Sequence, residues 1–198
     1  MLVTSEADLS EQLREAASGS SLALRLGSKD YAENYVATLQ ATLRDASAGT
    51  KAHTIFVSVT NPASLVNDLV VALDVPQASI SYVDAISHIM MNYRDPLPNA
   101  SYIESPRMLE DIMLRIEFLL RKFPKPRQLV VIDSVNTLAI HNPPDLLSEF
   151  FHIMLNNLKA RQVLSVLLTT SDENSPFIEQ ILQLVVDDTI DVRVGGGT

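Results

Sequence analysis

Asp133 and Ser134 are the residues of this 198-residue sequence whose types and setting most clearly suggest chemistry. They follow four consecutive apolar residues, 129–132, a run typical of a strand buried on both faces of a parallel sheet. Such a strand places a carboxylate and a hydroxyl together at its carboxyl end, where open α/β sheets bind ligands. We therefore expect any ligand site of this chain to include this pair.

Four other turns are expected at the same edge of the sheet, because they follow the other predicted strands. These turns are residues 27–30, residues 60–61, Asp84 and residues 169–172. Together they define a crevice in which a nucleotide or another ligand would bind. The candidate binding residues are Gly27, Lys29, Asn61, Asp133, Ser134 and Thr170.

Several kinds of catalytic centre find no support in the sequence. No two of its four histidines stand at metal-ligand spacing, and the absence of cysteine excludes thiolate catalysis and cysteine-bound metals. No G-x-S-x-G motif and no nucleophile–base pair is present. We assign no catalytic residue and expect no metal, except at Asp133 if a nucleotide binds.

The composition favours a protein of the cytoplasm. A formal net charge of −9 disfavours binding to nucleic acid, whose phosphates it repels. No apolar run approaches the roughly 20 residues of a membrane-spanning helix, and the first residues do not resemble a secretory signal. Arginine outnumbers lysine ten to five, a bias that hints at a salt-rich cytoplasm as readily as at ordinary drift.

Strands and helices alternate along the chain, which predicts a three-layer α/β/α domain with a mainly parallel sheet. We expect a single domain with an N-terminal helix in residues 1–19, a core over 20–194 and a loose tail over 195–198. Strands are predicted at 22–26, 53–59, 80–83, 129–132, 163–168 and 189–194. Helices are predicted at 5–17, 31–45, 63–73, 108–122, 145–159 and 176–186.

The Asp133-Ser134 strand resembles the Walker B segment of RecA-like P-loop ATPases, especially the KaiC/RadA group. The order of the predicted elements over about residues 20–194 is similar to that family as well. The resemblance implies that strand 163–168 lies between strands 22–26 and 129–132. It also implies a possible ATP and magnesium site, in which the acid supports the metal ion through water.

The sequence departs from this family at two places that hydrolysis needs. The turn at 27–30 has one glycine and does not match G-x-x-x-x-G-K-[ST], and Asp30 and Glu33 would place negative charge where phosphate binds. The second strand ends in Thr60-Asn61 rather than in an acid that could activate water. We therefore expect a degenerate member that binds no cofactor and does not hydrolyse ATP.

A regulatory or scaffolding role through a protein partner or self-association is the function we expect, as in signal transduction. Helices 108–122 and 146–158 carry more apolar residues than one buried face needs, and the proline-containing segment 92–107 could order against a partner. Two alternatives stay open. One is an atypical ATP-binding domain that uses Lys29, Asp133 and Ser134, and the other is a small-molecule sensor whose ligand occupies the crevice.

Overall fold

Eight strands form one sheet in the computed structural model, which describes residues 1–44, 52–91, 96–170 and 176–194. The strands are β1 (Leu2–Val3), β2 (Ser21–Leu26), β3 (Ala52–Ser58), β4 (Ile80–Asp84), β5 (Ala100–Tyr102), β6 (Arg127–Asp133), β7 (Leu164–Thr170) and β8 (Asp188–Val192). Their order across the sheet is β1-β8-β2-β7-β6-β3-β4-β5, and each of these pairings is parallel. The predicted three-layer α/β fold with a parallel sheet is therefore confirmed.

The position of β7 confirms the strand order that the resemblance implied. β7 lies between β2 and β6, with Leu24 opposite Leu168 and Ile132 opposite Leu167. This arrangement brings the carboxyl ends of β2, β7, β6 and β3 to one edge of the sheet. It is the RecA-like order, and it excludes a direct pairing of β2 with β6.

Helices cover both faces of the sheet. They are α1 (Glu6–Glu15), α2 (Tyr31–Leu39), α3 (Ala63–Ala72), α4 (Leu109–Lys122), α5 (Val135–His141), α6 (Pro144–Ala160) and α7 (Pro176–Val185), with a π-helical turn at Gln40–Arg44 and a 3-10 turn at Gln77–Ser79. Apolar residues of α1, α2 and α3 pack with one another in one core cluster. Those of α4, α5, α6 and α7 form the other cluster, on the opposite face.

Local sequence signals explain where several helices begin and end. The Ser5 side chain accepts a hydrogen bond from the Asp8 amide at 3.1 Å, so Ser5 is the N-cap of α1. α4 has acids in its first turn and Arg121 and Lys122 in its last, as the helix dipole favours. Pro144 begins α6, where its missing N–H costs no helical hydrogen bond.

Three short elements were not predicted from the sequence. β1 extends the sheet by pairing with β8, β5 extends it at the other edge within the proline-containing segment 92–107, and α5 follows Ser134 directly. Two or three residues are too few for a periodic pattern, so tertiary contacts decide these strands. The predicted tail, the predicted end of the second helix at residue 45 and residues 92–95 of the proline-containing segment lie outside the described residues.

The helices also bear on the expectation of no membrane span. Among the residues that the structure describes, every helix is too short or too polar to cross a lipid bilayer.

Replacing Phe151 by alanine should lower the free energy of unfolding by ~3–5 kcal/mol, because the ring is fully buried between α6 and the sheet and its loss leaves a cavity. Phe118→Ala is the matched control, since that ring on α4 is half exposed and its loss should cost less than about 1 kcal/mol. Urea unfolding of both variants measures the difference. Equal losses would show that the α6 face is not the packed core described here.

Candidate functional site

Asp133 is the centre of a polar cluster at the carboxyl ends of the strands. Its side chain is fully buried, and its Oδ2 accepts a hydrogen bond of 2.6 Å from the hydroxyl of Tyr35. Tyr35 lies on α2, the helix that follows the turn after β2, and its ring stacks on Tyr31 one helical turn earlier. The other carboxylate oxygen, Oδ1, makes no hydrogen bond with a described residue.

Burial sets the electrostatics of this pair. It raises the pKa of Asp133 to about 6, although the hydrogen bond from Tyr35 and the nearby polar side chains of Asn61 and Thr60 act in the opposite direction. The pKa of Tyr35 is raised far above its usual range, first by burial and then by the neighbouring Asp133 carboxylate. The shared proton therefore stays on the tyrosine, which donates to the acid.

Three hydroxyl groups bind one another beside Asp133. The Oγ1 atom of Thr60 lies 3.1 Å from the Oγ of Ser134 and 2.8 Å from the Oγ1 of Thr137. Ser134 is the N-cap of α5 and accepts from the Thr137 amide. Ser134 therefore has a structural role at the start of this helix. The backbone amides of Val59 and Thr60 both donate to the Asp133 carbonyl, which joins the end of β3 to the end of β6.

Gly27 belongs to a separate network that joins the first turn to β8. Its amide donates to the Val192 carbonyl at 3.2 Å, and its carbonyl accepts from the side-chain amide of Asn34 at 3.1 Å. The Oδ1 of Asn34 in turn accepts from the Val194 amide at 2.7 Å. The whole turn from β2 to α2 is residues 27–30, in which Lys29 is exposed.

Asp84, the acid at the end of β4, is held by four hydrogen bonds. Its Oδ1 accepts from the amides of Ile86 and Ser87, and its Oδ2 accepts from the Ala63 amide and the Ser87 hydroxyl, all within 3.0 Å. These bonds fasten the start of α3 and the loop after β4 to the sheet. The donors occupy both oxygens, so Asp84 has a structural role.

Thr170, at the end of β7, contacts α5 rather than Asp133. Its amide donates to the Oδ1 of Asn136 at 3.1 Å, and the hydroxyl of Thr169 donates to the same atom at 2.7 Å. The expected site also included residues 171 and 172, which lie outside the described residues.

Only some of the predicted site residues thus lie close together in the structure. Asn61, Asp133 and Ser134 come together, whereas Gly27 and Thr170 lie in separate networks and Lys29 is on the exposed turn. The residues that the sequence analysis missed are Tyr35, Thr137, Asn34 and Asn136. Tyr35 lies in the predicted helix 31–45, and the available signal was that a buried tyrosine hydroxyl usually finds a hydrogen-bond partner.

No metal centre is present in the described part of the chain, where no group of three or more His, Asp or Glu side chains is placed to hold an ion. Among the described residues, His53 is a buried histidine with a structural role. His53 Nε2 lies 3.0 Å from the Ser81 hydroxyl, and its ring stacks on Phe123 at 4.4 Å between centroids. Burial and the nearby Lys125 lower its pKa to about 4, so it stays neutral.

Comparison with solved structures supports the RecA-like fold. A KaiC-like protein from the hyperthermophilic archaeon Pyrococcus horikoshii superposes with a TM-score of 0.61 at 15% identity, over 88% of this chain and 72% of that one. The flagellar accessory protein FlaH from Methanocaldococcus jannaschii superposes with a TM-score of 0.64 at 14% identity, over 96% and 78%. No family model and no curated protein sequence matches this chain. The chain therefore has the fold of the RecA-like P-loop ATPases.

The stability of the protein should fall, relative to an Asp133→Asn variant, as the pH rises from about 4 to about 7. The pKa of this acid is about 6 in the folded state and 3.8 ordinarily, so the folded state holds its proton more tightly. The stabilisation that results from this proton is complete below pH 3.8 and is lost as the pH rises through about 6. The free energy of unfolding changes by an amount on the order of 3 kcal/mol. Urea unfolding over a pH series measures it.

Titrations elsewhere in the chain cancel in the difference between wild type and Asp133→Asn. A difference that is constant across the whole pH range would contradict the buried, high-pKa state of Asp133.

Proposed function

We propose that this chain is a catalytically inactive RecA-like domain, resembling the KaiC-like group, that works in the cytoplasm through protein association. Its role would be regulatory or scaffolding. The contact between Tyr35 and Asp133 carries the proposal, because it uses the acid that magnesium-dependent ATPases of this fold need.

The surroundings of Asp133 do not fit a magnesium–nucleotide complex. In such a complex the acid accepts from water bound to the ion, and a phosphate lies close by. Here Asp133 is fully buried and Tyr35, from the helix after the first turn, donates to Oδ2 at 2.6 Å. A metal-bound water that donates to Oδ2 would have to replace this tyrosine.

The first turn also does not fit a triphosphate. A phosphate loop binds with several free backbone amides that point inward. In this chain four residues form the turn, and the Gly27 amide donates to Val192 instead. Asp30 and Glu33 lie at the start of α2, where their charge would repel phosphate.

The end of β3 offers no general base. Thr60 follows this strand, and its hydroxyl is engaged with Ser134 and Thr137. Asn61 supplies an amide in place of the carboxylate that would polarise an attacking water. The lack of a base at this position is an independent reason to expect no turnover.

Exposed apolar side chains support the association role. Large apolar residues on α4 and α6 stay in contact with solvent, namely Leu114, Phe118, Leu146 and Ile153. Neighbouring positions on the same helices are buried in the core, as at Ile116 and Phe150. Burial of such surface against another protein would contribute about 25 cal/mol per Å2 before the costs of association are deducted.

In the presence of magnesium, the protein should release phosphate from ATP or GTP no faster than the Asp133→Ala variant does. The reason is that neither the phosphate-binding amides nor a base is available. A steady-state phosphate-release assay on both proteins provides the measurement. Turnover by the wild type that disappears in Asp133→Ala would overturn the proposal of an inactive domain.

One observation favours the second candidate function, a small-molecule or atypical nucleotide site. Asp133 Oδ1 is buried without a hydrogen-bond partner among the described residues, so a polar ligand or ion could bind there if Tyr35 moved. A thermal-shift screen that includes magnesium with ATP distinguishes the two. A stabilising ligand whose effect is lost in Asp133→Asn would favour this second function.

A further inference from the structure

A groove between α4 and α6 has the features of a helix-binding site. It has a volume of about 430 Å3 and lies among residues that are not part of the hydrogen-bond network around Asp133. Its apolar lining consists of Met108, Leu109, Met113, Leu146, Phe150 and Ile153. Leu146 and Ile153 are 54% and 40% exposed, although leucine and isoleucine at helix positions beside a core are usually covered.

The spacing of the lining residues gives the groove a direction. Leu146, Phe150 and Ile153 follow one another at intervals of four and three residues along α6, and Leu109 and Met113 are four residues apart along α4. Residues 146–153 therefore extend over about 10 Å of helix axis. An apolar strip of this length between two helices matches the i, i+4, i+7 side chains of a third helix.

The rim of the groove is acidic. Glu110, Asp111 and Glu149 line it, and none of them forms an ion pair with another residue of the described chain. Arg107 is the basic residue of the lining, and its Nε donates to the His141 carbonyl at 3.0 Å. The three carboxylates are therefore available to lysine or arginine side chains of a partner.

We infer that this groove binds a cationic amphipathic helix of a partner protein, with apolar residues toward Phe150 and basic residues toward Glu110, Asp111 and Glu149. The inference rests on the proposed function, since it names the partner for the association role. A second copy of this chain is a poorer occupant, because two chains of net charge −9 repel each other at an acidic surface.

A synthetic peptide with leucines on one helical face and lysines on the other is the probe, and fluorescence anisotropy of a labelled copy measures binding to the full chain. Two control peptides separate the contributions. One has the same composition in shuffled order, and the other has glutamate in place of lysine. We expect the leucine–lysine peptide to bind at least about tenfold more tightly than either, and less tightly as salt screens the charges.

Variants of exposed residues locate the site without disturbing the core. Leu146→Asp and Ile153→Asp should each weaken binding about tenfold, whereas Leu184→Asp, at a 71% exposed leucine on α7, should have no effect. Glu149→Lys should weaken binding and reduce its salt dependence, whereas Glu11→Lys, at an exposed acid of α1, should not. Thermal unfolding checks that each variant folds, and Leu146→Ser replaces Leu146→Asp if it does not.

Three results would overturn the inference. The first is equal binding of the three peptides, and the second is equal effects of the groove and control variants. The third is dimerisation of the unlabelled chain in sedimentation experiments that Leu146→Asp abolishes, which would assign the groove to a second copy. None of these results changes the expected absence of phosphate release, so a failure here is distinguishable from a failure of the proposed function.

Discussion

The hydrogen bond from Tyr35 to Asp133 is the interaction on which the rest of this site depends. A parallel sheet of RecA-like order brings the end of β6 beneath the helix that follows β2, and a buried acid there needs a partner. An ATPase of this fold satisfies such an acid with a hydrated metal ion. In this chain the hydroxyl of Tyr35 on α2 donates to the acid at 2.6 Å.

Several polar side chains at the neighbouring strand ends are likewise hydrogen-bonded within the protein. Asn34 joins the turn after β2 to the end of β8, and Asn136 joins α5 to the end of β7. Asp84 fastens the loop after β4 to the start of α3. Side chains and backbone amides at this edge thus connect neighbouring elements of the fold.

The longer strands and the parallel character of the sheet could be predicted from the sequence because they depend on long, continuous signals, whereas the strand order was implied by the resemblance to the RecA-like family. Buried apolar runs such as 129–132 identify strands, and the alternation with helices identifies parallel crossovers. Asp133 and Ser134 were placed correctly at the carboxyl end of β6 for the same reason. In contrast, β1 and β5 are held by their neighbours in the sheet, and no pattern within two or three residues indicates them.

The partners of Asp133 could not be predicted with equal success, because contacts between distant residues depend on side-chain direction. Tyr35 and Asp133 are 98 positions apart, and the same helical periodicity suits a tyrosine that only packs. Lys29 shows that residue type alone does not indicate where a side chain lies. Its type matched a phosphate-binding role, but the turn leaves its side chain exposed.

Carbon-13 NMR of the Asp133 carboxyl group tests the central claim most directly, with Tyr35→Phe and Asp133→Asn used to assign its signal and its partner. We expect a carboxyl resonance that titrates near pH 6 in the wild type and at a higher pH in Tyr35→Phe, and that does not shift when millimolar magnesium and ATP are added. A signal that titrates at an ordinary aspartate pKa, or that moves on addition of magnesium and ATP, would contradict the account in which a buried Asp133 has Tyr35 as its partner.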